Sequence, residues 1–202
     1  PAHPGSAEKK QESRDAQKVL RFLEKKLKPL GFERTKPTFF TRSGPYVLEF
    51  VHVHKFTFGP TFRVHFGVRV RSDDFAAAHL NGPDSDSIVD PTMPGLRRYR
   101  FSFTPNEASW ESCAEAMLEC VSTDGLHWFA SLANQTALLS SESQLSPSAI
   151  SALQRELEEP FRVQVSEATQ LVLNVANRLL VADAQQQVAA SRRLLRAEQR
   201  QR

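Results

Sequence analysis

Residues 61–71 read TFRVHFGVRVR, and their alternation decides the fold. Successive side chains of an extended chain point to opposite faces, so Phe62, Val64, Phe66, Val68 and Val70 form one apolar face and Arg63, His65, Arg69 and Arg71 the other. A strand with one apolar and one basic face needs partners on both edges and a layer against its apolar side. Immediately upstream, Thr38 to Arg42 and Tyr46 to Phe56 are rich in aromatic and branched residues, and Ser43-Gly44-Pro45 and Phe58-Gly59-Pro60 separate the runs. Three consecutive antiparallel strands are therefore expected. The middle one is apolar on both faces, with Val47, Val51 and Val53 alternating with Leu48, Phe50 and Phe56, as befits an interior strand.

His52 and His54 share a face of that middle strand, and the register of the following hairpin decides what they meet. If Phe58 and Gly59 form a two-residue loop, His52 stands opposite His65 and His54 opposite Arg63; a three-residue loop reverses the faces. In the first case three imidazoles come together, a geometry that can hold a metal ion, although Arg63 and Arg69 beside them would repel a cation.

Helical spacing brackets the strands. Val19, Leu20, Leu23, Leu27 and Leu30 predict a helix from about Asp15 to Leu30, stopped by Gly31. Residues 1 to 13 read as a polar tail. Residues 72–95, SDDFAAAHLNGPDSDSIVDPTMPG, keep no period and predict a long loop with one short helical turn around Phe75 to Leu80. A fourth strand, Arg97 to Phe103, follows. Thr104-Pro105-Asn106-Glu107 then reads as a cap, a proline in the first turn and an acid, opening a helix that ends at Asp124-Gly125. Trp110, Cys113, Met117, Cys120 and Val121 line its buried side, and Glu107, Glu111, Glu115 and Glu119 recur on the other. Leu126 to Leu139 predicts another short helix, and Ser146-Pro147 caps one that reaches Glu159. From Phe161 onward, Val165, Ala168, Leu171, Val172, Val175, Leu179 and Ala182 keep helical spacing without Gly or Pro, which predicts a long C-terminal helix. The expected architecture is α+β: a four-stranded antiparallel meander packed by helices over residues 14–139, with residues 140–202 as a helical extension packed on it or projecting from it.

The chain has 202 residues, 40% hydrophobic and 24% charged, long enough to bury a core without disulfides. Its net charge of +3 conceals segregation. Residues 1–71 hold fifteen Lys or Arg against six Asp or Glu, residues 72–95 hold five Asp and no base, and residues 105–125 hold four Glu and one Asp. Five Arg against one Glu follow from Gln185 onward. Such blocks either meet within the fold or mark a polyanion or an acidic protein as partner. Cys113 and Cys120, seven apart on one helix, are separated by roughly 10 Å along its axis and cannot pair with each other. With no signal-like segment and no long apolar run, a cytoplasmic protein is expected.

Several stretches resemble the bacterial domain of unknown function 4304 family over about residues 15–135. Leu27-Lys28-Pro29-Leu30-Gly31-Phe32-Glu33-Arg34 is similar to that family's helix end and the basic or polar run after it. Phe39 and Phe40 stand where it has an aromatic pair, Gly67-Val68 where its strand ends in Gly and an aliphatic residue, and Gly125-Leu126-His127-Trp128-Phe129 is similar to its Gly-Leu-x-Trp-Phe segment. His52-Val53-His54 departs from the Gln and Lys or Ser that the family often carries. The resemblance implies a bacterial α+β domain, with an accessory or immunity-like role, and brings no activity.

No nucleophile elbow, phosphate-binding glycine loop, HExxH or CxxC occurs, so no catalytic residue, cofactor or metal ligand is singled out. The acidic loop, with Asp73, Asp74, Asp84, Asp86 and Asp90, lacks the spacing of a calcium loop. The expected function is a non-enzymatic binding domain, a protein-protein interaction module using the long loop, the acidic face of Glu107, Glu111, Glu115 and Glu119, or the terminal helix, which could also form a homodimer. The alternative is nucleic-acid or nucleotide-phosphate binding through Arg63, His65, Arg69 and Arg71 with Arg98 and Arg100 from the fourth strand. A hydrolase using His52 or His65 is a third.

Overall fold

The computed structural model describes residues 6–73 and 80–158. Helix α1 (Ala7–Leu27) opens on Ser6, whose hydroxyl accepts from the Lys9 backbone N–H at 3.2 Å, and passes through a 3₁₀ turn at Lys28–Leu30 to Gly31, which sits in the left-handed region at φ 83°. The helix thus starts about two turns ahead of Asp15. Those turns are held because Glu12 binds both Lys9 and Lys55 of the sheet. Its buried residues include Val19, Leu20, Leu23 and Leu27 of the predicted stripe and add Asp15 and Ala16, whereas Leu30 falls in the 3₁₀ turn and is half-buried.

The sheet is an antiparallel meander of β1 (Glu33–Lys36), β2 (Phe39–Ser43), β3 (Val47–Lys55), β4 (Thr61–Val70) and β5 (Phe101–Ser102), in that order. It has five strands, not four. The unexpected β1 is four polar or charged residues with a register break between Arg34 and Lys36, too short and too polar to show a period of two. The strand expected over Arg97 to Phe103 shrinks to two residues, since Val89 meets Arg97 in an isolated bridge and only Phe101 and Ser102 join β4.

One sheet face, carrying Phe40, Val51, Val53, Phe62, Val64, Phe66, Val68 and Val70, closes the main core against α1 and α2 (Glu107–Cys120). The cap of α2 is Asn106, which accepts from the Ser109 N–H at 2.9 Å; Thr104 sits one step further out, its hydroxyl bound by the Asn106 amide. Helix α2 does not stop at Asp124-Gly125. A π turn at Val121–Gly125 carries it straight into α3 (Leu126–Ser131), with Gly125 in right-handed helical conformation. The helix expected over Leu126 to Leu139 is therefore two, α3 and α4 (Gln135–Leu139), parted by a turn and the Asn134 cap. Helix α5 (Pro147–Glu158) begins as expected, with the Ser146 hydroxyl accepting from the Ala149 N–H at 3.2 Å, and it adds Ala149, Ala152 and Leu153 to the core. The expected C-terminal helix and most of the expected turn near Phe75 lie outside the described residues. No described helix is long and apolar enough to cross a membrane.

Candidate functional site

The β3–β4 register sets His52 opposite His65 and His54 opposite Arg63, the arrangement derived above for a two-residue loop. The turn residue Gly59, at φ 110°, makes this register possible. The three imidazoles therefore share the outer sheet face. His52 stacks between Phe39, 4.3 Å away, and His65, 5.8 Å away, while His54 meets its edge at 6.4 Å. Burial, with His65 and His54 adding repulsion, holds the His52 pKa down to about 3, and its Nδ1 has no hydrogen-bond partner. Burial also lowers His65, with Asp84 opposing and Arg63 adding to the shift. Among the described residues, no group of three His, Cys, Asp or Glu is placed to hold a metal ion.

The arginines of the basic face have protein partners on this domain. Arg63 pairs with Asp86 and lies over the Phe56 ring at 5.1 Å. The buried Arg69 donates to the Asp73 carbonyl at 2.7 Å. Arg71 clasps the β2–β3 turn through Ser43 Oγ, 2.9 Å, and the carbonyls of Gly44 and Pro45. Arg98 reaches the Asp124 carboxylate at 3.7 Å and covers the Tyr99 ring. Of the five arginines named from sequence, Arg100 alone has no hydrogen bond or ion pair among the described residues, and it is exposed. The segregated charge blocks thus meet within the fold: Asp86 of the loop neutralises Arg63 of β4, and Asp124 of the π turn neutralises Arg98.

The loop itself does two things. Its first described part pairs with the free edge of β4, through Gly82 N–H to the Phe66 carbonyl, Phe66 N–H to Pro83, Ser85 N–H to Val64, and the Asn81 side chain bonded both ways to Val68. The Asp84 carboxylate accepts from the N–H groups of Asp86 and Ser87, and Asp90 from that of Thr92, so these acids shape turns. The second part, residues 88–98, folds into a small hairpin: Asp90 N–H bonds to Leu96, Met93 N–H to Asp90, Leu96 N–H to Met93 and Arg98 N–H to Ile88, with Gly95 at φ 85°. It leaves Val89, Met93 and Leu96 respectively 54%, 52% and 55% exposed. Sequence reasoning missed these three. The available signal was apolar residues within and flanking the Pro91 to Gly95 turn, a run too short and too broken by proline and glycine to bury them.

The stripe of glutamates is exposed, and Lys26 of α1 lies against its middle, bonded to Glu115 and 3.8 Å from Glu111. That lysine relieves part of the like-charge repulsion along the helix. Cys113 and Cys120 are free and buried, and burial pushes the Cys113 thiol up to about 12 and Cys120 higher still, which keeps both protonated and inert. His127 is exposed, while Trp128 packs on Gly82, where a side chain would come within 2.6 Å of the indole.

Two of the concavities among the described residues flank the sheet edge. A groove of about 710 Å³ runs between the first turns of α1 and Pro60, Phe103 and Pro105. A smaller cleft of about 350 Å³ opens at the β4–β5 edge, between Phe56, Asp86, Arg97 and Arg100. No protein-family model matches the chain, and neither a curated protein nor a solved structure matches it.

Proposed function

We propose that this chain is a protein-binding domain that presents the 88–98 hairpin to its partner. The carrying observation is that Val89, Met93 and Leu96 stand more than half exposed on a loop whose backbone is fixed by its own hydrogen bonds. Pre-ordering matters because a segment that is already folded loses little conformational entropy on docking. Exposed apolar side chains on such a hairpin contribute through removal of area from water.

The internal pairing of Arg63, Arg71 and Arg98 weighs against an open basic strand face as the contact surface for nucleic acid. The two inert thiols suit a reducing, cytoplasmic setting, and the resemblance to the bacterial domain of unknown function 4304 family suits an accessory or immunity-like role.

The test is affinity capture from lysate with the wild-type chain and with a Val89→Ser, Met93→Ser, Leu96→Ser variant, each with and without nuclease. Because all three side chains are exposed, the variant should fold with an unchanged circular dichroism spectrum. A protein that survives nuclease and is lost with the variant supports the reading. An identical set of captured proteins from both chains overturns it, and a concentration-dependent mass that the variant abolishes would identify the partner as a second copy.

A further inference from the structure

The cleft at the β4–β5 edge combines features that the protein-binding reading leaves unused. It is lined by Arg97, Arg100 and Phe56, and by Thr61 and Ser102, which are paired across β4 and β5. Asp86 also lines it, but that carboxylate is already held by Arg63 and by Arg97 at 3.1 Å. Two guanidiniums therefore share one carboxylate, and Arg100 adds a third positive charge without a partner among the described residues. The cleft retains positive charge, and Arg100 has a full set of donors uncommitted among the described residues. At about 350 Å³ it lies within the size range of small-ligand sites, far below what a folded partner would occupy.

We propose that this cleft binds a small phosphomonoester with a flat aromatic body, of the size of a mononucleotide. A guanidinium fork offers paired donors to phosphate oxygens, and the hydroxyls of Thr61 and Ser102 add further donors. The aromatic part enters beside the half-buried Phe56, one face of which Arg63 covers at 5.1 Å, where an aromatic body gains area burial and ring contact. A carboxylate partner would use the arginines but not the aromatic wall. An uncharged aromatic would leave Arg100 unanswered. A phosphate joined to an aromatic ring answers both.

The experiment titrates AMP, adenosine and inorganic phosphate into the full chain, followed by calorimetry and by amide shifts in the β4–β5 region. AMP should bind saturably, and adenosine and phosphate should each bind at least about tenfold more weakly, since each forfeits one class of contact. Arg100→Ala, a change at an exposed side chain, should weaken AMP at least about tenfold while leaving the melting temperature unchanged. The hairpin variant Met93→Ser should leave AMP binding as it is, so this site and the protein-binding tip can fail separately. No AMP binding at about 10 mM, or equal binding by wild type and an Arg97→Ala, Arg100→Ala variant, overturns the proposal. Equal affinity for AMP and phosphate overturns the aromatic half of it, and shifts centred away from the cleft overturn its location.

Discussion

Gly67 shows how a single missing side chain organises the outer sheet face. It lies opposite Phe50 in the β3–β4 register, and a Cβ placed on it would overlap the Phe50 ring itself. That ring is fully buried and tilts against Phe39 at 5.9 Å, which in turn stacks on His52. The glycine is thus the floor of an aromatic and imidazole row, and its φ is unremarkable; space rather than backbone freedom requires it. Gly67→Ala should destabilise the domain by about 2 kcal/mol through overpacking, read as a lower urea midpoint with unchanged slope. An unchanged midpoint would show that Phe50 swings aside at no cost. Gly125 repeats the principle on the other face, where a Cβ would come within 2.6 Å of the Phe66 ring.

At the scale of elements, α2 and its continuation mark what the sequence discloses and where it stops. The buried positions Cys113, Met117, Cys120 and Val121 were legible because helical periodicity is a local property, and the β3–β4 pairing was legible up to one choice of loop length. Gly125 was misleading. An Asp-Gly pair after an amphipathic run signals a stop, yet here the glycine is retained because Phe66, far away in sequence, occupies the space above it. The same limit hid β1, whose residues pair with β2 without any apolar alternation, and the Arg63–Asp86 and Arg98–Asp124 pairs, which join separated charge blocks only once the loop lies along β4. Lys26 is a second long-range partner that the glutamate stripe could not announce. Its bonds to Glu115, opposed by its partial burial and aided by the charge of Glu111, raise its pKa. Lys26→Ala should therefore cost about 0.5–1 kcal/mol at low salt, shrinking in about 1 M salt as the exposed carboxylates are screened. A cost that does not change with salt would assign the effect to packing of the lysine stem.

For the whole molecule, the half-buried imidazoles of His52 and His65 set the direction in which pH acts. His52 has an ordinary pKa of 6.5 in the unfolded chain and about 3 in the folded one, because burial, then His65 and His54, penalise its charge. The described charged or titratable groups around this pair are His54 and Arg63 on the neighbouring strand positions and Asp84 and Asp86 on the loop. Between those two values the unfolded state holds more protons than the native state, so stability is complete above about pH 6.5 and falls as the pH drops toward 3. His65, also lowered, adds to the loss in the upper part of that window. Glu12 acts lower down: burial pushes its carboxyl upward, but the bonds from Lys55 and Lys9 outweigh it, so the net shift is below 4.5 and its contribution disappears only as the pH falls through that lowered value. Acid destabilisation should consequently begin near pH 6.5, well above the carboxylate range, with a slope of up to about 1.4 kcal/mol per pH unit for each proton taken up. Urea midpoints of the wild type and of His52→Phe, measured from pH 7.5 to 4.5, test the assignment. The phenyl ring keeps a flat partner for Phe39 and cannot titrate, so the variant's stability should decline less steeply across the window even if its value at pH 7.5 differs. Parallel curves would place the proton uptake on another group and remove His52 as its source.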